Sequence, residues 1–545
     1  MADDNKRVIK IESILGGHSP SEYFAAEDQY KFSYGIDPSL PRAVGQPRGR
    51  SSGLIRPTFV QSITNTAFAA APMWQTQNPK NSLVYVYDMV GSVYTNSNNS
   101  TISGLGDLND GGTSTGNGAA YYDNYIYFAR DTTVARYGPL DGTAAFTDDY
   151  WAGTLGKTAL TDPSFPTVVS FSPVSYPNHV MHRHSDGRLY IADVVDNKGT
   201  IHFIQTTKTT VEGDTDNGST YNKLQFGYGL WPTAIESYGD GLVIALAEME
   251  SGAFIGAQKA KLAFWDTTSQ NFNQIIWEEF PDQMITGLKN LNGVLYIVSG
   301  SPFITGFRLT RYIGGNSFEE VYYSEDGIAP LQGAIIATGQ RLLFGSKHSI
   351  GNANGGCVYS WGLQKSSLGR GIFIPYGTTG GEFVSSLSFP DSRSINLGFG
   401  FNTPTIGWAG NGPTYGLDMV LIAGASQYPG TIYYSSEWQS QIYKIGQPFK
   451  IKKIYIPTPI GINTIITPTV YTDFRSNSYP LTAITSGGDF GGTQKGSLGL
   501  LQILQGENIT GDGDFHLVLI WSDGSGGGGT DGTIGLPITI EYELL

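Results

Sequence analysis

The sequence predicts an all-β protein with an extended N-terminal arm, a β-propeller of about seven blades and a C-terminal β-sandwich or jelly roll. Three observations support this prediction. Glycine supplies 72 of the 545 residues and tyrosine supplies 32, which favours turns and strands. Charged residues make up only 15% of the chain, against about 25% in typical domains. A degenerate unit of two paired strands recurs along the middle of the chain.

Residues 1–56 form the predicted N-terminal arm. Prolines at positions 38, 41 and 47 exclude a helix there and disfavour a central strand. Scattered apolar anchors on such an arm cannot bury one another, so the arm must lie on the body of the chain or on a neighbouring subunit. Both placements stay open at this point. The predicted assembly residues of the arm are Tyr23, Phe24, Tyr30, Phe32, Arg42, Arg48, Arg50 and Arg56.

Residues 57–437 hold the repeated unit, which is a short apolar strand, a tight turn and a second strand rich in β-branched and aromatic residues. Most of the turns combine Asp or Asn with Gly, residues that accept the positive φ angles of a type I′ hairpin. Five clear turns lie at 123–124, 186–187, 240–241, 292–293 and 339–340, with looser copies near 79–80 and 390–391. A period of about 50 residues made only of strands is typical of a propeller blade.

The repeat predicts seven blades, and six or eight stay open because residues 402–416 look like a long insertion in the last unit. The competing fold is a run of β-sandwiches, which the regular spacing of the hairpins disfavours. Residues 438–545 change in character, because longer strands with clear alternation replace the repeated hairpins. This pattern predicts the C-terminal β-sandwich or jelly roll.

Charge and targeting signals argue against several classes of function. A net charge of −14, from 33 basic and 47 acidic residues, repels the phosphate backbone, so nucleic acid is not an expected partner. A single cysteine, Cys357, excludes an internal disulfide and a cysteine-rich metal site. No secretory signal and no membrane-spanning apolar run are found. We therefore expect a protein made in a cytoplasm, without a membrane partner.

Four of the seven histidines fall between residues 179 and 202. His182 and His184 alternate and should face one side of a strand, while His202 lies two strands later in the same blade. Such imidazoles are weak candidates for a zinc or copper site, and hydrogen bonding within the blade is the preferred interpretation. We therefore expect no metal and no cofactor. Trp408, inside the presumed insertion, is a weak candidate for an exposed ring that stacks on a ligand.

Sequence motifs of catalysis are missing. No Gly-x-Ser-x-Gly stretch stands out as a nucleophile elbow, and the chain has no phosphate-binding loop and no sialidase-type repeat. A glycosidase would need two carboxylates about 5–10 Å apart, and the sequence cannot pair such groups in space. The expectation is a non-enzymatic protein, with a propeller hydrolase that degrades polysaccharide kept as an alternative.

The two ends of the chain resemble virion structural proteins of tailed bacteriophages. The matching stretches are residues 14–17, 35–38, 52–57, 449–454, 468–473 and 536–538. The resemblance covers the ends only, and the middle of the chain matches as a generic propeller. It implies a propeller-like body, a trailing β-domain and a place in or near the tail. No catalytic residue is implied by it.

The resemblance implies a virion protein, made in the host cytoplasm, that assembles with other virion proteins and with copies of itself. The physical properties agree, because a rigid acidic body with an adhesive arm suits a particle component. The expected mechanism is assembly through the arm and the end domain. The alternative is a virion module that recognises a host surface glycan or receptor.

Overall fold

The structure is a computed structural model. It describes residues 5–19, 26–34, 36, 43–45, 50–55, 74–77, 84–87, 92–96, 102–107, 116–130, 133–151, 179–205, 224–250, 253–254, 259–269, 271–300, 306–325, 327–338, 341–348, 355–363, 371–378, 383–388, 405–409, 415–420, 435–457, 464–485, 501–523 and 533–545. The regular elements bounded within these residues are β-strands and two short 3-10 helices, Phe272–Gln274 and Gln332–Ala334. The predicted all-β class is therefore confirmed.

Seven antiparallel sheets, numbered 1 to 7 along the chain, lie in the described residues between 50 and 420. Their strands, from first to last in each sheet, are Trp74–Gln77, Val84–Tyr87, Ser92–Asn96 and Ile102–Asp107 in sheet 1; Gly116–Tyr122, Tyr125–Arg130, Thr133–Gly138 and Ala145–Thr147 in sheet 2; Met181–Arg183, Leu189–Val195, Lys198–Ile204 and Leu224–Tyr228 in sheet 3; Leu230–Tyr238, Gly241–Glu250, Lys261–Trp265 and Ile276–Glu279 in sheet 4, with Ala253–Phe254 beside its second strand; Ile285–Leu291, Val294–Gly300, Phe307–Gly314 and Ser317–Ser324 in sheet 5; Ile335–Thr338, Arg341–His348, Gly355–Leu363 and Gly371–Thr378 in sheet 6; and Phe383–Ser388, Thr405–Ala409, Tyr415–Val420 and Arg50–Ile55 in sheet 7.

The first strands of successive sheets contact one another in chain order. Gly116–Tyr122 of sheet 2 contacts the first strands of sheets 1 and 3, and the same relation continues through sheets 4, 5, 6 and 7. Phe383–Ser388 of sheet 7 also contacts Trp74–Gln77 of sheet 1, so the series of contacts returns to its start. In the described side chains, apolar clusters fill the spaces between sheets 2 and 3, 3 and 4, 4 and 5, and 5 and 6; Tyr127 and Ile191 belong to the first of these. Sheets 3, 4 and 5 are therefore covered on both faces, which explains their nearly continuous apolar strands.

Several predicted hairpin turns are found where the sequence places them. Tyr122 pairs with Tyr125 across the turn at 123–124, and Leu291 pairs with Val294 across the turn at 292–293. The turn predicted at 240–241 lies one residue earlier, because Tyr238 pairs with Gly241 and Gly239 takes the positive φ of 61°. The predicted turns at 79–80, 339–340 and 390–391 lie outside the described residues.

The prediction of an insertion at residues 402–416 is wrong, because strands of sheet 7 lie there. This stretch contains the second strand of the sheet, Thr405–Ala409, and the start of the third, Tyr415–Val420. Ser388 pairs with Thr405, so the strand that follows Phe383–Ser388 in the sheet begins at Thr405. This Gly-rich stretch looks like a loop by composition. It forms strands because two neighbouring strands supply its ladder of hydrogen bonds, and composition does not reveal those neighbours.

Both ends of the chain contribute to two further sheets, which we call end sheet I and end sheet II. End sheet I orders Lys6–Ile11, Ile538–Leu544, Phe449–Pro457 and Leu501–Gly511. End sheet II orders Gly17–His18, Gln29–Tyr34, Ser435–Ser440, Asp514–Asp523, Thr464–Thr472 and Asn477–Pro480, with Tyr443–Lys444 and Ile484–Thr485 at its side. Ala43–Gly45 pairs separately with Thr533–Gly535.

One apolar core joins the two end sheets. It takes Ile451 and Ile540 from end sheet I and Val470 and Trp521 from end sheet II, all of them fully buried. The alternation predicted for residues 450–457 is confirmed, because Ile451, Ile454 and Ile456 point inward between more exposed neighbours. Within the described ranges, no helix has the length and apolarity needed to cross a membrane.

Close packing between sheets 2 and 3 leads to the first prediction. A Cβ atom added at Gly118 would lie 2.2 Å from the backbone oxygen of His179, so Gly118→Ala must push the first strands of these sheets apart. We expect the free energy of unfolding to fall by about 1–3 kcal/mol. Gly142→Ala is the matched control, because its nearest neighbour would be Pro139 at an ordinary 3.5 Å. Equal urea midpoints for the two variants would contradict this packing.

Acid sensitivity of the end sheets leads to the second prediction. His516 is 1% exposed and stacks on Tyr471 at 5.2 Å between ring centres. Burial lowers its pKa to about 3, and the positive charges of Arg475 and Lys31 act in the same direction. In the unfolded chain His516 therefore becomes protonated near pH 6.5, whereas in the folded chain it becomes protonated only near pH 3. Stability should fall as the pH is lowered through this window.

His516→Phe keeps a ring against Tyr471 and removes this titration. It also removes a buried Nε2 that lacks a hydrogen-bond partner. We expect melting temperatures, followed by circular dichroism, to depend less on pH between 6.5 and 4 in the variant, with no loss of stability at pH 7. Tyr471→Phe retains the histidine and should keep the original pH dependence. An unchanged slope in His516→Phe would contradict the assignment.

Candidate functional site

The candidate site lies where the first strands of sheets 3 and 4 meet. His182 belongs to the strand Met181–Arg183, and His184 follows directly after it. Both imidazoles converge on one oxygen of the neighbouring sheet: His182 Nε2 lies 2.7 Å and His184 Nδ1 lies 2.8 Å from Ser237 Oγ. The alternation of the two histidines therefore places them together, as the sequence predicted, and their shared partner is a serine hydroxyl.

The positions of the protons follow from the partners. His184 Nε2 lies 3.2 Å from the carbonyl oxygen of Asp240, which can only accept a hydrogen bond, so Nε2 carries the proton of the neutral ring. The unprotonated Nδ1 then accepts the single hydroxyl proton of Ser237. Since that proton is used, His182 Nε2 must donate to Ser237 Oγ. The serine hydroxyl thus donates to one imidazole and accepts from the other.

The surroundings keep His182 neutral at pH 7. Burial lowers its pKa to about 4; Glu236 opposes this shift, whereas Lys289 and His184 reinforce it. His184 is only 3% exposed, while Ser237 and His182 are half-buried. The turn residues Gly239 and Asp240 that follow Ser237 are exposed, so the cluster lies near the surface at one end of the two sheets.

An ion pair lies next to this cluster, between sheets 4 and 5. Lys289 Nζ donates to Glu236 Oε2 at 2.9 Å, with side-chain exposures of 26% and 7%. Asn290 Nδ2 donates to the backbone oxygen of Ser237 at 3.1 Å. Gln332, in the short 3-10 helix that precedes sheet 6, donates to the oxygen of Ile235 at 3.0 Å and accepts from the nitrogen of Leu288 at 2.7 Å. Together with the two histidines, these polar side chains link the first strands of sheets 3, 4 and 5 and that helix.

His202 belongs to a different and fully buried cluster. Its Nε2 lies 2.9 Å from Asp193 Oδ2, and its ring packs edge-on against Trp151 at 5.3 Å. His179 Nδ1 lies 3.0 Å from the backbone oxygen of Ala192 and 3.7 Å from Asp193 Oδ1. His202 therefore bonds to a carboxylate of its own sheet instead of joining His182 and His184. In the part of the chain that the structure describes, no group of three His, Cys, Asp or Glu residues could hold a metal ion.

The other predicted site residues fall in different places. Trp408 lies in the second strand of sheet 7, where its backbone pairs with Val384 and Gly416. Tyr30 and Phe32 lie in end sheet II and are 0% and 3% exposed, so both side chains pack inside the chain itself. Arg50 begins the last strand of sheet 7. The remaining arm residues, Tyr23, Phe24, Arg42, Arg48 and Arg56, lie outside the described residues.

Sequence reasoning missed Ser237, Glu236 and Lys289. A signal was present in the repeat itself. His182 and His184 precede the turn of one unit by a few residues, and Glu236 and Ser237 hold the same place before the turn of the next. Aligning successive units by their turns would have placed the two histidines beside Glu236 and Ser237 on neighbouring strands.

Comparisons with known proteins identify no family. No family model matches the chain, and no curated protein matches it. Among solved structures, virginiamycin B lyase from Staphylococcus aureus aligns with 12% identity and a TM-score of 0.39, covering 66% of this chain and 97% of that one. A catalytically inactive variant of that lyase with quinupristin aligns with 11% identity and a TM-score of 0.38, covering 65% and 97%. Likeness at this level carries no argument about the present chain.

The ion pair beside the candidate site leads to a third prediction. Lys289→Met leaves the buried Glu236 carboxylate without its partner, and we expect a loss on the order of 2 kcal/mol in the free energy of unfolding. Adding Glu236→Gln should recover most of the loss, because the remaining amide is uncharged. Lys452→Met is the matched control, since Lys452 and Glu543 form a more exposed pair at 2.6 Å. Similar losses from both lysine substitutions in chemical denaturation would contradict the buried role of Glu236.

Proposed function

We propose that this protein is a structural component of a bacteriophage virion, associated with the tail, and that its part in virion assembly is non-enzymatic. The observation that carries the proposal is the meeting of the two chain ends. Lys6–Ile11 pairs with Ile538–Leu544, which in turn pairs with Phe449–Pro457. The stretches that resemble phage virion proteins lie far apart in the sequence, and those in the described residues fall mainly in or beside the two end sheets.

We further propose that sheets 1 to 7 are the blades of a seven-bladed propeller. The cyclic contacts between first strands support this count, and so does the completion of sheet 7 by Arg50–Ile55. In this proposal, an N-terminal strand closes the ring. The end sheets would form the C-terminal β-sandwich, supported by their shared apolar core.

The proposed mechanism is assembly through surface contacts of a rigid body. The end sheets offer exposed apolar side chains for such contacts, namely Val8 at 53%, Phe474 at 66% and Leu545 at 67% exposure. Phe474 lies in the turn between Thr464–Thr472 and Asn477–Pro480, held in place by a bond from its nitrogen to Asp514 Oδ1 at 3.1 Å. A fixed apolar group on a turn suits a contact with another virion protein or with a second copy of the chain.

A stacked aromatic pair favours a second candidate function, binding of a host surface glycan or receptor. Trp277 on the outer strand of sheet 4 is 43% exposed and stacks on Phe272, with ring centres 6.2 Å apart. Lys261 Nζ lies 4.5 Å from the centre of the Trp277 ring. The exposed part of this ring and the ammonium group over its face offer a sugar an apolar contact and a hydrogen-bond donor.

The virion proposal leads to a fourth prediction. Mass spectrometry of purified phage particles should detect this chain in fixed ratio to known tail proteins, and electron microscopy should place it there. In complementation of a phage that lacks the gene, Phe474→Asp should lower the yield of complete particles, because a carboxylate at an apolar contact is costly. Ile313→Asp is the matched control, because Ile313 is 61% exposed but lies on sheet 5.

Two outcomes would contradict this proposal. The first is a chain that is missing from purified particles while the recombinant protein stays a free monomer. The second is an equal effect of the two substitutions, which would remove the end sheets as the attachment surface. Binding of the free protein to host cells, lost in Trp277→Ala, would instead support the second candidate function.

A further inference from the structure

The Ser237 hydroxyl is a group that the proposed virion role does not use. It lies at the end of the first strand of sheet 4, beside two imidazoles and directly before an exposed turn. A serine hydroxyl can donate one hydrogen bond and accept two. Both partners of Ser237 Oγ are ring nitrogens, at 2.7 and 2.8 Å.

We propose that Ser237 is the nucleophile of an acyl-transfer site that hydrolyses small carboxylic esters, with His184 as its general base. This inference goes beyond the virion role and does not depend on it. The distance of 2.8 Å from Oγ to His184 Nδ1 is that of a nucleophile bonded to its base. The carbonyl of Asp240 fixes the tautomer of His184 from the other side of the ring, as the third member of a catalytic triad does.

His182 supplies the remaining polar group of the site. Its Nε2–H points at Ser237 Oγ, and its lowered pKa keeps the ring neutral at pH 7. When the serine oxygen bonds to a carbonyl carbon, the new oxyanion is bonded to that same carbon, two bonds from the Oγ atom to which His182 Nε2–H donates. A preorganised N–H in a half-buried place stabilises such a charge more than water-exposed groups do. Removing His182 should therefore weaken catalysis without removing the base.

The reaction balances with these groups and water alone. Ser237 Oγ bonds to the ester carbonyl carbon as its proton passes to His184 Nδ1. The bond from that carbon to the alcohol oxygen then breaks, and the alcohol leaves with the proton from Nδ1. Water next attacks the acyl-serine and gives a proton to Nδ1, which returns it to Ser237 Oγ as the carboxylic acid leaves.

The surroundings favour a short and uncharged acyl group. The Glu236 carboxylate beside the site is already paired with Lys289, so neither charge is free to bind an ionic substrate. The turn residues Gly239 and Asp240, which closely follow Ser237, are exposed. Acetyl and other short acyl esters match these properties.

The test uses the full chain with a fluorophosphonate probe and with p-nitrophenyl acetate. We expect one covalent adduct by intact mass, mapped to Ser237 by peptide analysis, and none in Ser237→Ala. His184→Asn should slow ester turnover by about 10²- to 10⁴-fold, the usual contribution of a general base. Ser269→Ala is the matched control, because Ser269 also bonds through its hydroxyl, to Asp266 at 3.0 Å, but has no imidazole partner.

Melting curves establish that each variant is folded before activity is compared. Should Ser237→Ala fail to fold, Ser237→Cys keeps the size and a nucleophile, and its thiol should be alkylated by iodoacetamide faster than Cys357. A folded protein without an adduct, an adduct at another residue, or unchanged ester turnover in Ser237→Ala would each overturn the proposal. Loss of this activity would leave the virion proposal untouched, since particle assembly is measured separately.

Discussion

The pairing of Arg50–Ile55 with Tyr415–Val420 is the interaction on which the rest of the structure depends. It gives sheet 7 its last strand from the opposite end of the chain, and sheet 7 in turn contacts sheet 1. Bringing such distant residues together costs loop-closure entropy, which grows only slowly with the length of the loop. The end sheets hold an earlier part of the same N-terminal segment, through the pairing of Lys6–Ile11 with Ile538–Leu544.

A series of sheets packed at close range constrains both small and polar residues. Backbones approach so closely at Gly118 that an added Cβ atom would lie 2.2 Å from the backbone oxygen of His179. Polar groups in these narrow spaces must find partners, because an unpaired buried group costs free energy. Gln332 hydrogen-bonds to a carbonyl of sheet 4 and to an amide of sheet 5. Ser237 hydrogen-bonds to the two imidazoles, His182 and His184, that belong to or directly follow the first strand of sheet 3. The contacts that hold the sheets together therefore also create the candidate site.

The proposed assembly surface and the proposed ester-hydrolysing site lie in separate parts of this molecule. The proposed attachment residues lie on the end sheets, where both chain ends meet around one apolar core. Ser237 lies on an inner contact between sheets 3 and 4, where its two histidines are oriented by the backbone and by neighbouring strands. A rigid scaffold with strands held on both sides suits both roles, since each needs side chains at fixed positions.

The sequence by itself determined the all-β class, the hairpin turns at 123–124 and 292–293, and the placement of His182 and His184 on the same side of their strand. These features depend on turn chemistry and on alternation, which act between neighbouring residues. Only the tertiary structure decided that residues 405–409 and 415–420 are strands, that Tyr30 is buried within the chain, and that Ser237 meets the histidines. Each of these depends on ladder bonds or side-chain contacts between residues distant in the chain, and no local pattern of residue types contains that pairing.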